Sequence, residues 1–169
     1  MAFVVEDGTG ISTATSYLAV TAADTYHADM GNTAWAAALT ADKETALVRA
    51  TRSLDSLYSG QWRGEKFSYA QALDWPRSYA YTYPEEFELT GVPVILKNVT
   101  AEAALIELAT PGALLASRDR GGAVKSEKVD IITIEYFEGA SSATVYPTIA
   151  AMISPLVVGG RGSLSVLRC

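Results

Sequence analysis

Apolar residues return at steps of three and four in three stretches, and each stretch predicts a helix with one buried face. The first runs from Ala22 to Met30, capped by Thr21 and stopped by Gly31-Asn32, with Ala22, Tyr26 and Met30 on its inner side. A brief alanine-rich turn around Trp35 follows. The second helix has Thr40 as its cap, Asp42 and Glu44 in its positive first turn, and Gly60 as its stop. Its inner face is Leu47, Ala50, Leu54 and Leu57, while Lys43, Arg49, Arg52 and Asp55 fall largely on the outer side. The third is written by Ile95, Val99, Ala103 and Ile106, widened by Leu96, Leu105 and Ala109, and ended by Pro111-Gly112.

Elsewhere the period changes or disappears. Phe3 to Val5 and Tyr17 to Val20 read as short strands, the first stopped by a glycine turn at Gly8 and Gly10. Residues 61–91 have no helical or strand period and are rich in rings, with punctuation at Gly64, Pro76 and Pro84, so they predict a long structured loop packed on the helices. After Arg118-Asp119-Arg120-Gly121-Gly122, the runs Val124 to Val129 and Ile131 to Phe137 predict an extended arm or bent hairpin. Pro147 suits the first turn of a short helix carrying Ile149, Met152 and Ile153, and Leu164 to Arg168 forms a closing strand. The expected fold is α+β: mainly a helical bundle with an extended β arm or hairpin and a C-terminal strand. Residues 1–117 carry the bundle and the aromatic loop, residues 118–169 the arm, short helix and last strand, within one domain.

The chain has 169 residues, 49% hydrophobic and 19% charged, a balance that excludes bulk disorder and suffices for a core without staples. No apolar run approaches the roughly 20 residues needed to cross a bilayer, so no membrane role is expected. The start, with Glu6 and Asp7 and no basic flank, does not read as a secretion signal, which points to a cytosol. The net charge of −6 gives no summed field for gathering phosphates and sets dedicated nucleic-acid binding at a disadvantage. One cysteine, Cys169, excludes an intramolecular disulfide and a multi-cysteine zinc site.

Catalytic chemistry finds no pattern. There is one histidine, His27, expected at a surface or boundary, and no nucleophile elbow, zinc-protease helix, phosphate loop or dinucleotide fingerprint. Glu85, Glu86 and Glu88 lack calcium-loop spacing and read as a solvated acidic face. No enzyme activity, metal or cofactor is therefore expected. Single-strand binding has one argument: Trp62-Arg63, Lys66-Phe67, Tyr69, Trp75-Pro76-Arg77, Tyr79, Tyr81 and Tyr83 interleave rings with cations as stacking platforms do. Against it, Arg63, Lys66 and Arg77 oppose Glu65 and Asp74, leaving little positive charge, and Trp62 and Trp75 equally suit anchors that hold the loop on the helices.

Several of these stretches together resemble a family. Tyr17-Leu18-Ala19-Val20 with Ala23-Asp24-Thr25-Tyr26, Asn32-Thr33-Ala34-Trp35, Arg49-Ala50-Thr51, Leu54-Asp55, Trp62-Arg63-Gly64 and above all Gln71-Ala72-Leu73-Asp74-Trp75-Pro76-Arg77 are similar to the phage-encoded proteins labelled DnaT-like single-stranded-DNA-binding proteins. Val92-Pro93, Tyr146-Pro147 and Leu167-Arg168 extend the likeness over nearly the whole chain. The resemblance implies a structural virion protein, a head-tail adaptor that docks on the portal as a ring of about twelve copies (a dodecamer) and meets the next neck or tail protein. Double-stranded DNA would pass through its lumen without specific binding, and assembly would take place in the host cytoplasm. The expected interface residues are Trp62, Arg63, Trp75, Pro76 and Arg77 of the loop, and Leu164, Val166, Leu167 and Arg168 of the tail, whose strand could add to a neighbour's sheet. The alternative is a single-stranded-DNA-binding accessory protein of replication.

Overall fold

The computed structural model describes residues 2–82, 87–115 and 146–158, together with the backbone of two short strands at 126–129 and 132–135. Helices α1 (Val20–Asp29), α2 (Thr33–Ala37) and α3 (Thr40–Leu57) lead to a two-residue ladder, β1 (Glu65–Lys66) with β2 (Arg77–Ser78). Then come α4 (Val94–Ala109), a 3-10 turn at Ala113–Leu115, the hairpin β3 (Ser126–Val129) and β4 (Ile132–Glu135), and α5 (Pro147–Ile153), which runs into a 3-10 turn at Ser154–Leu156. The fold is α+β and mainly helical. Both ladders are antiparallel, Glu65 opposite Ser78 in one and Ser126 opposite Glu135 in the other. No helix among the described residues is long and apolar enough to cross a membrane.

The two long helices pack on each other because each offers a continuous apolar stripe. From α3 come Ala46, Leu47, Ala50 and Leu54; from α4 come Leu96, Val99, Ala103 and Ala104, all buried. Small residues on both faces let the backbones approach, and α5 adds Ile149 and Ile153 against α4. Leu57 departs from the expected face of α3 and is exposed, because the helix is already closing at Tyr58.

Some expectations need correction. Tyr17 to Val20 is not a strand: a single bridge joins Val5 to Ser16, Tyr17 and Leu18 enter the core, and Val20 already opens α1. The N-caps are Ala19 and Leu39, two residues and one residue before the expected caps Thr21 and Thr40, and neither threonine caps through its side chain. The inner face of α1 is Ala23 and His27, with Ala22 and Met30 outside. His27 is therefore a core residue rather than a boundary one. Its Nε2 lies 3.2 Å from the Ala101 carbonyl oxygen and its Nδ1 2.9 Å from Asn32 Nδ2, so Nε2 carries the hydrogen and Nδ1 accepts. The ring packs against Trp35 at a tilt of 37° with centroids 4.5 Å apart, and burial lowers its pKa. Lys43, expected outside, is buried over Trp35 and paired with Asp24 at 2.9 Å, the same carboxylate oxygen that accepts the Trp35 indole N–H.

Buried carboxylates also shape the loops. Glu6 accepts backbone N–H groups from Gly8, Gly10 and Ile11 at 2.8–2.9 Å, drawing the amino-terminal loop around itself. Gly8 and Gly91 both have positive φ and their backbones touch: a Cβ on Gly8 would lie 3.1 Å from the Gly91 Cα, so this contact requires glycine. Glu107 closes the end of α4 in a similar way, accepting the N–H groups of Gly112 and Leu114.

Candidate nucleic-acid interface

The aromatic loop is built from beneath by a polar hub. Asp55, expected on the outer face of α3, instead lies under the loop. It accepts the Tyr17 hydroxyl at 2.6 Å, and the Tyr17 oxygen in turn accepts the backbone N–H groups of Asp74 and Trp75 at 3.0 and 3.1 Å. The second Asp55 oxygen accepts the Asp74 N–H at 3.2 Å. Burial drives the Asp55 pKa up to about 7 despite the Tyr17 hydrogen bond, and burial beside that carboxylate pushes the Tyr17 phenol well above its usual range.

Asp74 carries the hub outward. Its carboxylate accepts the Trp62 indole N–H at 3.1 Å and pairs with Lys66 at 2.9 Å. Trp62 meets Trp75 edge to face with centroids 6.1 Å apart, and the Trp75-Pro76 peptide is cis. Arg77 reaches back across the ladder to the carbonyl oxygens of Arg63, Gly64 and Asp74 at 2.6–3.2 Å. Gln71 donates to the carbonyls of Leu73 and Pro76 and accepts the Ser68 N–H. The loop is further tied to the end of α5: Trp62 bridges Val157, and Arg63 donates to the Leu156 and Pro155 carbonyls.

What faces solvent is therefore a different set of rings. Trp62, Trp75 and Pro76 are buried and Arg63 and Arg77 half-buried, so these expected interface residues support the loop from within the chain. Leu164, Val166, Leu167, Arg168 and the closing strand lie outside the described residues, as do Tyr83, Glu85, Glu86 and Cys169. Phe67 (58% exposed), Tyr79 (72%), Phe87 (68%) and the fully exposed Tyr69 stand out from the loop, with Tyr81 partly exposed beside them. Tyr79 sits at φ 55°, a left-handed conformation unfavourable for a tyrosine, and such strain is retained where the surroundings over-determine the backbone.

Phe67 and Tyr79 line one cleft of about 300 Å³, completed by Pro76, Arg77, Glu88 and the touching Gly8 and Gly91 loops. Tyr81 bridges to Glu88 through the backbone, which fixes that wall. The rings were legible as a group in the sequence; which of them turn outward was not. Asp55 and Tyr17 went unnoticed as supports, although a carboxylate four residues before Ser59-Gly60, on a face of otherwise solvated charge, offers no local sign of a partner in the aromatic loop. Among the described residues no cluster of three or more His, Cys, Asp or Glu could hold a metal ion.

No curated protein and no solved structure matches the chain. The family match lies in sequence: residues 1–169 fit the model of a family described as "Putative DnaT-like ssDNA binding protein". That description speaks of single strands and contains nothing of portals, necks or tails. With a match that runs from the first residue to the last, the chain belongs to this DnaT-like family.

Proposed function

We propose that this chain binds single-stranded DNA through its exposed rings, in a mode led by stacking and only weakly assisted by charge. The observation that carries the reading is the division of labour in the loop: Trp62 and Trp75 are spent on the core, while Phe67, Tyr69, Tyr79 and Phe87 present their rings to solvent. Every base has a flat face, so such rings bind without a fixed sequence. The family description supports the same reading. Lys66 is paired with Asp74 and Arg77 with carbonyls, so at most the three cations Arg63, Lys66 and Arg77 could meet phosphates here.

The test is anisotropy of a labelled mixed-sequence oligonucleotide of about 20 nucleotides, read at several salt concentrations. Three phosphate contacts bound the slope of log K against log salt at about −2 for a single strand. Phe67→Ala and Tyr79→Ala should each weaken binding by about 1–3 kcal/mol, the range for loss of one base-stacking ring. Absence of binding at about 100 µM protein, against the roughly micromolar to 100 µM range of even non-specific DNA complexes, would reject the reading.

A second reading, the head-tail adaptor ring implied by the sequence resemblance, is favoured by the −6 charge and by the same internal commitment of cations, since exposed rings without free cations also suit a protein face. Sedimentation of the chain alone and with a portal protein separates the two: a ring or a stable portal complex, with no strand binding, would favour the adaptor.

A further inference from the structure

We propose that the open pocket beside the second half of α3 seats a nucleotide of the single strand, with its phosphate on Arg52 and a neighbouring phosphate on Arg49. Resting on the single-strand reading above, this site supplies what the aromatic loop lacks, cations with no prior partner. Arg49 and Arg52 are exposed and, among the described residues, make no hydrogen bond or ion pair. They stand about one turn apart on the outer side of α3, and Ser56, one turn further on, presents an unbonded hydroxyl along the same stripe.

The pocket encloses about 460 Å³, a size suited to a small ligand such as one nucleotide. Ala14, Val48, Ala72 and Leu73 form apolar walls for a base or sugar, while Arg52, Ser56 and Ser59 supply the free polar groups. Thr15 also lines it, but its hydroxyl is engaged with the Val4 backbone. The remaining lining residue is Asp55, whose oxygens face the Tyr17 hydroxyl and the Asp74 N–H beneath the loop. Burial raises its pKa to about 7, so at neutral pH it is partly protonated, and the two arginines outweigh it. The other acid on this side of α3, Asp42, stands about 10 Å along the helix from Arg49, beyond the Debye length of about 8 Å at physiological ionic strength.

The pocket also adjoins the exposed rings. Its wall residue Ala72 donates its N–H to the Ile11 carbonyl at 3.2 Å, and on the preceding Gly10 a Cβ would lie 3.5 Å from Phe67 Cδ1. Phe67 and the pocket wall therefore border the same Gly10-Ile11 stretch, and the fully exposed Tyr69 precedes Ala72 closely in the chain. A strand stacked on those two rings can continue over Ala72 to Arg52, so that rings hold its bases and α3 holds its phosphates.

Two titrations of the full-length chain test the site. In the first, with the labelled oligonucleotide at stepped salt, Arg49→Ala and Arg52→Ala should each reduce the steepness of log K against log salt by about 0.7, at an unchanged melting temperature. Arg52→Lys should keep the slope, and Phe67→Ala should weaken binding without changing it. Strand binding with an unchanged slope in the double variant would overturn the site and leave the stacking reading standing. In the second, followed by amide resonances in NMR, thymidine monophosphate should shift Arg52, Ser56, Ser59 and Ala72 and bind about fivefold more tightly than thymidine, a difference that Arg52→Ala removes. Equal binding of thymidine, or a blocked diglutamate peptide shifting the same amides as strongly, would overturn the proposal. Seating of the monophosphate by a chain that binds no strand would support the pocket and reject the stacking reading.

Discussion

Replacing Tyr17 by Phe removes one oxygen and leaves the ring in place, so it isolates the polar hub from packing. The hydroxyl donates to Asp55 and accepts from the N–H groups of Asp74 and Trp75. Asp74 keeps a second acceptor in Asp55, whereas the buried Trp75 N–H keeps none. A hydrogen bond to a charged group contributes about 1.5–3 kcal/mol and an orphaned buried donor costs about 1–3 kcal/mol, so with partial relaxation the loss should be about 3 kcal/mol. In a chain of this size that lowers the melting temperature by about 6–12 °C. Urea unfolding followed by tryptophan fluorescence measures it. The loss should shrink from pH 8 to pH 5.5, because Asp55 titrates near 7 and its bond to the phenol is strongest when ionised. A loss below about 0.5 kcal/mol, or one independent of pH, would refute the hub as the support of the loop.

Asp55 itself should tilt the pH profile of stability. Its folded pKa of about 7 lies above the ordinary 3.8, so between those values the native chain holds a proton that the unfolded chain has released, and stability rises as pH falls through that window. Asp55→Asn should remove that slope in urea titrations at stepped pH. His27 acts in the opposite direction: its lowered pKa makes its contribution complete above about 6.5 and lost as pH falls through the folded value. Since the chain has one histidine, its ring protons in NMR report this directly, and a midpoint at or above 6.5 would contradict the buried neutral ring. Gly64, at φ +72°, leaves no room for a side chain, since a Cβ would overlap the Ser78 carbonyl oxygen and crowd the Ala80 backbone. Gly64→Ala should cost about 2–4 kcal/mol, against about 1 kcal/mol for Gly60→Ala, where the same handedness meets open space; equal losses in thermal melts would reject the close approach.

The long helices α3 and α4 are readable in the sequence because Leu47, Ala50, Leu54, Val99 and Ala103 repeat at the helical period and owe their burial to that period alone. The misread positions owe theirs to distant partners. Lys43 and Asp55 are charged, so their spacing assigns them to water, yet Asp24 and Tyr17 wait for them on other segments. His27 is polar and still belongs to the core, because Ala101 and Asn32 occupy both of its nitrogens. In the aromatic loop, composition reveals the rings but not their direction. Trp62 turns inward because the Asp74 carboxylate and the Val157 backbone meet it there, while Phe67 and Tyr79 follow a ladder too short to cover them.

The buried hub and the exposed rings touch different sets of atoms, which has a consequence for how such chains can diverge. Mutations at 67, 69, 79 or 87 alter what the surface can grip and spare the side-chain bonds of the hub, whereas a change at Tyr17, Asp55 or Asp74 removes bonds that hold the Asp74-Trp75 stretch of the loop in place. A lineage can thus exchange one clientele for another by redecorating a few outward positions, with no renegotiation of the fold.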